Sequence, residues 1–235
     1  RHSRPTVWAL KGEGQAINAG DFLITRAVSA LLDGAGPASR RLAALAVLND
    51  AMARMIYGQW QDIAFESRES VTPSEYLEMV RGKTGALLGA PLAMGALLAG
   101  ADEHQARTLQ RWGETVGLAF QVQDDYLGIW GDPNQTGKST SSDILRRKKT
   151  LPIVHGLAGS AAHTIQRAYA SAVMSEDELS EVVGALDAGG SREYSRSEAD
   201  RLVAEAGALL AAFELPETVR QQLREIGAYL VDRDR

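Results

Sequence analysis

Two adjacent aspartates set the hardest constraint on how this chain can fold. Asp124 and Asp125 stand inside an apolar run that opens with Leu118, Ala119 and Phe120 and continues through Val122, Tyr126, Leu127, Ile129 and Trp130. A fold that buries this run brings two carboxylates toward its interior, at a cost on the order of several kcal/mol unless cations meet them. Helical spacing places Gln121 on the same face, three and four residues ahead of the pair. Gly131-Asp132-Pro133-Asn134 carries the residues that should end that helix. Lys138, Asp143, Arg146, Arg147, Lys148 and Lys149 then arrive in quick succession. An acidic pair followed by a basic segment suits a site that holds a divalent metal and polyphosphate together. Hard cations take one or two carboxylates and share phosphate oxygens, and lysines neutralise the remaining charge. The competing reading, a solvated acidic helix face, is disfavoured by apolar neighbours on nearly every side.

Thr136-Gly137-Lys138-Ser139-Thr140 invites comparison with a nucleotide-binding phosphate loop. That motif needs glycine where Asp132 stands, and a strand where a helix-like segment precedes, so the reading fails.

Length, composition and charge set the outer bounds. The chain has 235 residues, 45% of them hydrophobic, which is ample for a core, and a net charge of −5, which gives nucleic acid no basic surface. It has no cysteine, which excludes disulfides and thiolate metal sites and fits a reducing cytoplasm. No apolar run reaches membrane-spanning length; Ala86 to Ala101 comes nearest, interrupted by Pro91, so no integral membrane segment is expected. No signal peptide is visible.

From the amino end, Arg1 to Trp8 reads as a basic loop, and Gly12 to Asp21 leads into a helix over residues 22–33. Ala19 and Gly20 are small enough to let helices approach. A helix over 38–66 follows the turn Asp33 to Pro37, with Leu42, Leu45, Leu48, Met52, Met55 and Ile56 at helical spacing as its expected core face. Gln59 and Asp62 share a face of that helix, either toward a cavity or in a structural salt bridge. Thr72 is an N-cap with Pro73 at the first helical position and Glu75 at the third. Lys83 and Thr84 lie in the helix so started. A lone lysine there usually snorkels to the surface. Gly85, Ala86, Gly89 and Ala90 either leave room for a ligand or pack helices tightly. A helix from Asp102 runs into the acidic pair. Beyond Pro152, helices are expected over 153–158, 161–173, 176–188, 191–211 and 216–232, the third of them amphipathic and ended by Gly189-Gly190. His104, His155 and His163 show no ligand spacing. No strand alternation, repeat or linker appears.

FQVQDDYLGIWGD, TGKSTSSDI and KKTLP, spanning Phe120 to Pro152, resemble the second aspartate-rich region of the trans-type isoprenyl diphosphate synthases, the polyprenyl synthetases. That family's motif is usually DDxxD; Asp124 and Asp125 match it, and Gly128 replaces the third aspartate. The resemblance runs over essentially the whole chain and is strongest at 1–21, 81–88 and 118–152. It implies an all-α fold, a single domain over 1–235 built as a bundle of long antiparallel helices around a deep apolar cavity. It also implies a prenyltransferase that condenses isopentenyl diphosphate with an allylic diphosphate. Mg²⁺ would be held by Asp124, Asp125 and Asp143. Lys83, Thr84, Gln121 and Lys138 would be catalytic. Arg1, His2, Lys148, Arg233 and Arg235 would bind substrate diphosphate. A cytoplasmic homodimer is expected. A terpene cyclase on the same fold, or a non-catalytic partner subunit of a related synthase, are the alternatives. The family's first aspartate-rich motif and its isopentenyl-binding Gly-Lys-Arg segment precede the loop that Arg1 to Trp8 resembles. The chain is therefore expected to be the carboxyl-terminal part of a longer protein, inactive alone, with the determinants of product length upstream.

Overall fold

The computed structural model describes residues 4–131 and 142–231, and every regular element among them is helical. α1 (Val7–Lys11), α2 (Glu13–Leu32) and α3 (Ala38–Ser67) lead into α4 (Pro73–Val80). A π turn, Arg81–Gly85, joins α4 to α5 (Ala86–Ala99) without a break. α6 (Glu103–Trp130) is followed by the short α7 (Ser142–Leu145), α8 (Leu151–Leu157) and α9 (Ala162–Ala170). α10 (Glu176–Ala188), α11 (Ser191–Ala211) and α12 (Glu217–Val231) complete the order.

Residues Trp112 to Ala119 are all buried, through two full turns, so α6 is covered on every side and forms the axis of the bundle. α5 packs along one flank of it and α11 along another, and α3 lies outside α5. The main core gathers Phe65, Tyr76, Met79, Leu118, Val122 and Leu151 from α3, α4, α6 and α8. A second core, around Ile129, Ile144, Ile153, Ile165 and Leu186, anchors the carboxyl-terminal helices against the end of α6. Local signals start the helices as the sequence predicts. Thr72 accepts from the Glu75 N–H while the Glu75 carboxylate accepts from the Thr72 N–H, and Asp102 with Gln105 and Ser175 with Glu178 repeat this reciprocal cap.

Several expectations are corrected. Val7 and Trp8 are helical rather than loop, and α2 starts at Glu13, so Asn18 to Asp21 sit inside a helix instead of leading into one. Gly20 faces open space and no helix approaches it. On α3 the expected core face is not the buried one: Leu42 and Ile56 are 59% and 58% exposed, Leu45, Leu48, Met52 and Met55 are half-buried, and the buried positions are Ala44, Ala51, Gly58 and Phe65. The seven-residue repeat of mostly small residues lets α3 come close to α5 and the π turn. Pro91 lies inside α5 and does not end it. Pro73 to Ala99 consequently forms one helix long and apolar enough, by length and composition, to cross a membrane. It packs between α3 and α6 in the bundle.

Among the described residues apolar space opens in at least two places. A cavity of ≈ 200 Å³ lies between α6, α11 and α12, lined by Trp112, Val116 and Leu210 among others. An open cleft of ≈ 390 Å³ runs between α2 and α3, lined by Val28, Leu42, Leu45, Leu48 and Met52.

Candidate active site

The polar pocket forms where α3, the α4–π turn, α6 and the segment before α8 converge. Asp62, Lys83, Thr84, Gln121, Asp124, Asp125, Asp143, Lys148, Lys149 and Thr150 line it, over a floor that includes Met79 and Val80. The π turn is what delivers Lys83 and Thr84. A widened turn redirects side chains relative to a continuous α-helix, and such turns recur at functional sites. It can sit against α3 only because residue 58 is glycine. A Cβ there would stand 2.4 Å from the Lys83 nitrogen and 2.8 Å from the Met79 carbonyl oxygen. The close approach brings Asp62 to Lys83, and the two form an ion pair at the pocket wall. Both readings of Asp62 therefore hold together: it is salt-bridged, and it faces the pocket.

The two aspartates of the pair fare differently. Asp124 is half-buried at the pocket. Asp125 is 3% exposed, and three donors hold it. The Tyr76 hydroxyl and the Leu151 N–H (2.9 Å) both donate to Oδ2, and the Gln121 amide donates to Oδ1 at 3.0 Å. Burial pushes the Asp125 carboxyl up to about 6; the Tyr76, Leu151 and Gln121 hydrogen bonds pull the other way, and the Asp124 charge adds to the rise. Burial, with the Asp125 charge next to it, holds the Tyr76 hydroxyl well above the ordinary phenol range. Asp125 thus ties α4, α6 and α8 together. The Thr84 hydroxyl donates to the Gln121 oxygen at 3.2 Å, so Thr84, Gln121 and Asp125 form one chain of hydrogen bonds along the pocket.

Gly128, where the family's third aspartate would stand, has Asp143 above it: a Cβ on Gly128 would lie 3.4 Å from Asp143 Oδ2. Asp143 therefore brings a carboxylate to the place the missing side chain would occupy. Its other oxygen pairs with Lys148 at 3.0 Å. Among the described residues no three His, Asp or Glu side chains cluster closely enough to cage a metal alone. Oxygen donors from Asp124 and Asp143, with lysines alongside, fit a hard cation that takes one or two carboxylates and completes its shell from phosphate and water.

Gly85 and Gly89 serve packing, not ligand space. A Cβ on Gly89 would lie 2.5 Å from the Gln110 carbonyl oxygen, and one on Gly85 3.2 Å from that of Glu114. Arg54 on α3 reaches the buried Glu114 carboxylate at 2.6 Å, with Gln110 donating to the same oxygen at 3.1 Å. That contact locks α3 against α6 across α5. Among the described residues the histidines take no part in the pocket: His155 is hydrogen-bonded to Ser191 and stacked on Tyr194, and His104 and His163 are exposed. Of the expected site residues, Lys83, Thr84, Gln121, Asp124, Asp125, Asp143 and Lys148 come together in the pocket. Arg1, His2, Lys138, Arg233 and Arg235 lie outside the described residues. Lys149 enters the sequence reading only as part of the basic segment after the acidic pair, and Tyr76 and Thr150 carry no site role there; all three line the pocket. A tyrosine hydroxyl on the core side of a helix needs a buried partner, which is the sequence signal that could have pointed to Tyr76.

Four helical elements and the segment before α8 thus bring carboxylates and lysines to face one another across one polar pocket. The polyprenyl synthetase family profile matches residues 1–186, and the chain belongs to that family. It is 41% identical over 239 residues to the (2E,6E)-farnesyl diphosphate synthase of Mycobacterium tuberculosis, covering 99% of this chain and 66% of the relative. It is 38% identical to the geranylgeranyl diphosphate synthase of the same organism, covering 93% and 63%. A solved polyprenyl synthetase from Streptomyces coelicolor superposes with a TM-score of 0.91 at 39% identity, covering 98% of this chain and 70% of that one. The chain thus spans slightly less than two thirds of the length of the two curated relatives it matches here. The expectations of a lost amino-terminal part and of inactivity gain no support from these likenesses.

Proposed function

We propose that this protein is a Mg²⁺-dependent prenyltransferase that joins isopentenyl diphosphate to an allylic diphosphate, lengthening a polyprenyl diphosphate. The observation that carries the reading is the convergence of Asp124 and Asp143 with Lys83, Lys148 and Lys149 on one polar pocket. The names of the relatives support it. Asp124 and Asp143 would hold the metal, and Asp125, already engaged by three donors, would position the wall instead of ligating. Mg²⁺ supplies positive charge against the diphosphate oxygens. Lys83 and Lys148, kept at the pocket by Asp62 and Asp143, turn to the diphosphate and stabilise the charge that develops on it as it departs. The hydrogen-bonded row of Thr84, Gln121 and Asp125 fixes the polar wall in advance, so little reorganisation accompanies the reaction. Met79 and Val80 keep water from the base of the site. A homodimer in a cytoplasmic setting belongs to the same proposal. Ile17, Phe22 and Leu23 of α2 and Trp60 of α3 are each more than half exposed and offer a second copy an apolar face.

The test supplies the allylic and isopentenyl diphosphates together and then singly. Elongation only with both supports the reading. A cyclised product from the allylic substrate alone, or no turnover in either arm, rejects it. Asp124→Asn should remove the dependence of pyrophosphate binding on Mg²⁺.

A further inference from the structure

One wall of the pocket is held more firmly than its sequence suggests. Between α7 and α8 the backbone from Arg147 to Thr150 has no repetitive structure, yet it is pinned at both ends. Arg147 has φ 56°, and it is the one residue other than glycine with positive φ among those described. For an L-residue with a side chain that conformation costs roughly 1–2 kcal/mol and persists only where the surroundings impose it. Its guanidinium reaches the end of α9, donating to the carbonyls of Ser171 and Ala172. The Lys148 N–H donates to the Asp143 carbonyl at 3.0 Å, and the Lys148 carbonyl accepts from the Tyr169 hydroxyl at 3.2 Å. At the far end the Leu151 N–H is fastened to Asp125, which Tyr76 fastens in turn.

Lys149 lines the pocket between these pins, half-buried. Lys83 and Lys148 each have a carboxylate partner, but Lys149 pairs with none among the described residues. The charge that acts on it is a cation, Arg68; burial first, and Arg68 second, hold its ammonium below the ordinary lysine value. Thr150 beside it buries a hydroxyl that finds no partner among the described residues. It stands at the N-cap of α8, and its side chain makes no capping hydrogen bond there. A half-buried ammonium without a counter-charge, next to an unmet hydroxyl, is a wall built for an anion.

We propose that Lys149 is a further phosphate-binding residue of this pocket, and that Arg147 is the positioning residue that holds it there. The inference rests on the diphosphate reading above.

The experiment titrates pyrophosphate calorimetrically, in Mg²⁺, into the wild type, Lys149→Gln, Lys149→Arg, Arg147→Gly and the Lys149→Gln/Arg147→Gly double variant. Asp124→Asn serves as the control for the reading itself. Removing a charged hydrogen bond to phosphate should weaken binding by about tenfold or more in Lys149→Gln. It should also flatten the salt dependence, and Lys149→Arg should recover most of the affinity. Arg147→Gly keeps the left-handed backbone accessible and deletes the anchor, so its loss should be similar. Because Arg147 acts through Lys149, the double variant should bind no more weakly than Lys149→Gln alone. Wild-type affinity in Lys149→Gln, with Mg²⁺-linked binding lost in Asp124→Asn, overturns the inference and leaves the reading standing. Additive losses in the double variant overturn the positioning role of Arg147. A wild type that binds no pyrophosphate in Mg²⁺ removes the reading and the inference together.

Discussion

Tyr76→Phe isolates one hydrogen bond at the most heavily engaged carboxylate in the protein. Tyr76 and Asp125 are each 3% exposed, so water cannot replace the lost hydroxyl. A hydrogen bond to a charged partner contributes about 1.5–3 kcal/mol, and a neutral one about 1 kcal/mol. Which figure applies depends on pH. Asp125 titrates at about 6 in the folded protein against an ordinary 3.8. Between those values the native state keeps a proton that the unfolded chain has released. This group therefore stabilises the fold at low pH, and its contribution is lost as pH rises through about 6. At pH 8 the Tyr76 hydroxyl faces a carboxylate, and its removal should cost about 2 kcal/mol. At pH 5 it faces a carboxylic acid, and the loss should fall to about 1 kcal/mol. For a chain of this size that is roughly 4–8 °C in Tm at pH 8 and about half of that at pH 5. Thermal melts of both proteins in Mg²⁺-free buffer at the two pH values measure it. A loss equal at both, or larger at pH 5, would refute the assignment of Asp125 as the group that changes charge.

Gly58→Ala should destabilise the protein by about 1–3 kcal/mol or more, since its Cβ meets backbone of the π turn, and should weaken Mg²⁺-pyrophosphate binding by displacing Lys83. Urea midpoints and calorimetry check this, and wild-type values in both would deny the close contact. Gly128→Asp has room, but it places a carboxylate beside Asp143, so its melting point should fall without Mg²⁺ and rise on adding Mg²⁺ by more than the wild type's. An equal response to Mg²⁺ tells against Asp143 standing in for the missing acid. Glu114→Gln should cost about 1–2 kcal/mol in a denaturant titration, discounted because Arg54 is a third exposed. Arg54→Met with Glu114→Leu should recover most of it, and a double variant weaker than the single one would contradict the pair's being a replaceable strut.

Much of this protein is decided by short-range chemistry and was therefore legible in its sequence. Thr72, Pro73 and Glu75 start α4 whatever surrounds them, because a reciprocal cap is complete within four residues. The amphipathic pattern of Glu176 to Ala188 places Val182 and Leu186 inward without reference to the partner helix. The acidic pair and the basic segment after it are likewise close in sequence, and their chemistry follows from residue type. What tertiary structure alone decided is which of two neighbouring aspartates enters the core. Successive residues on a helix point about 100° apart, so only the positions of α4 and α8 make Asp125 the anchor and leave Asp124 at the pocket. Tyr76 lies 49 residues from Asp125, and nothing local announces that contact. On α3, apolar spacing marked large residues as core, yet the face that packs is the one with Ala44, Ala51 and Gly58. Close approach of two helices selects for small side chains, which the hydrophobic pattern does not distinguish. Asp143 standing over Gly128 is of the same kind: a carboxylate missing from one helix is supplied by another, and only the packing of the two elements brings it there.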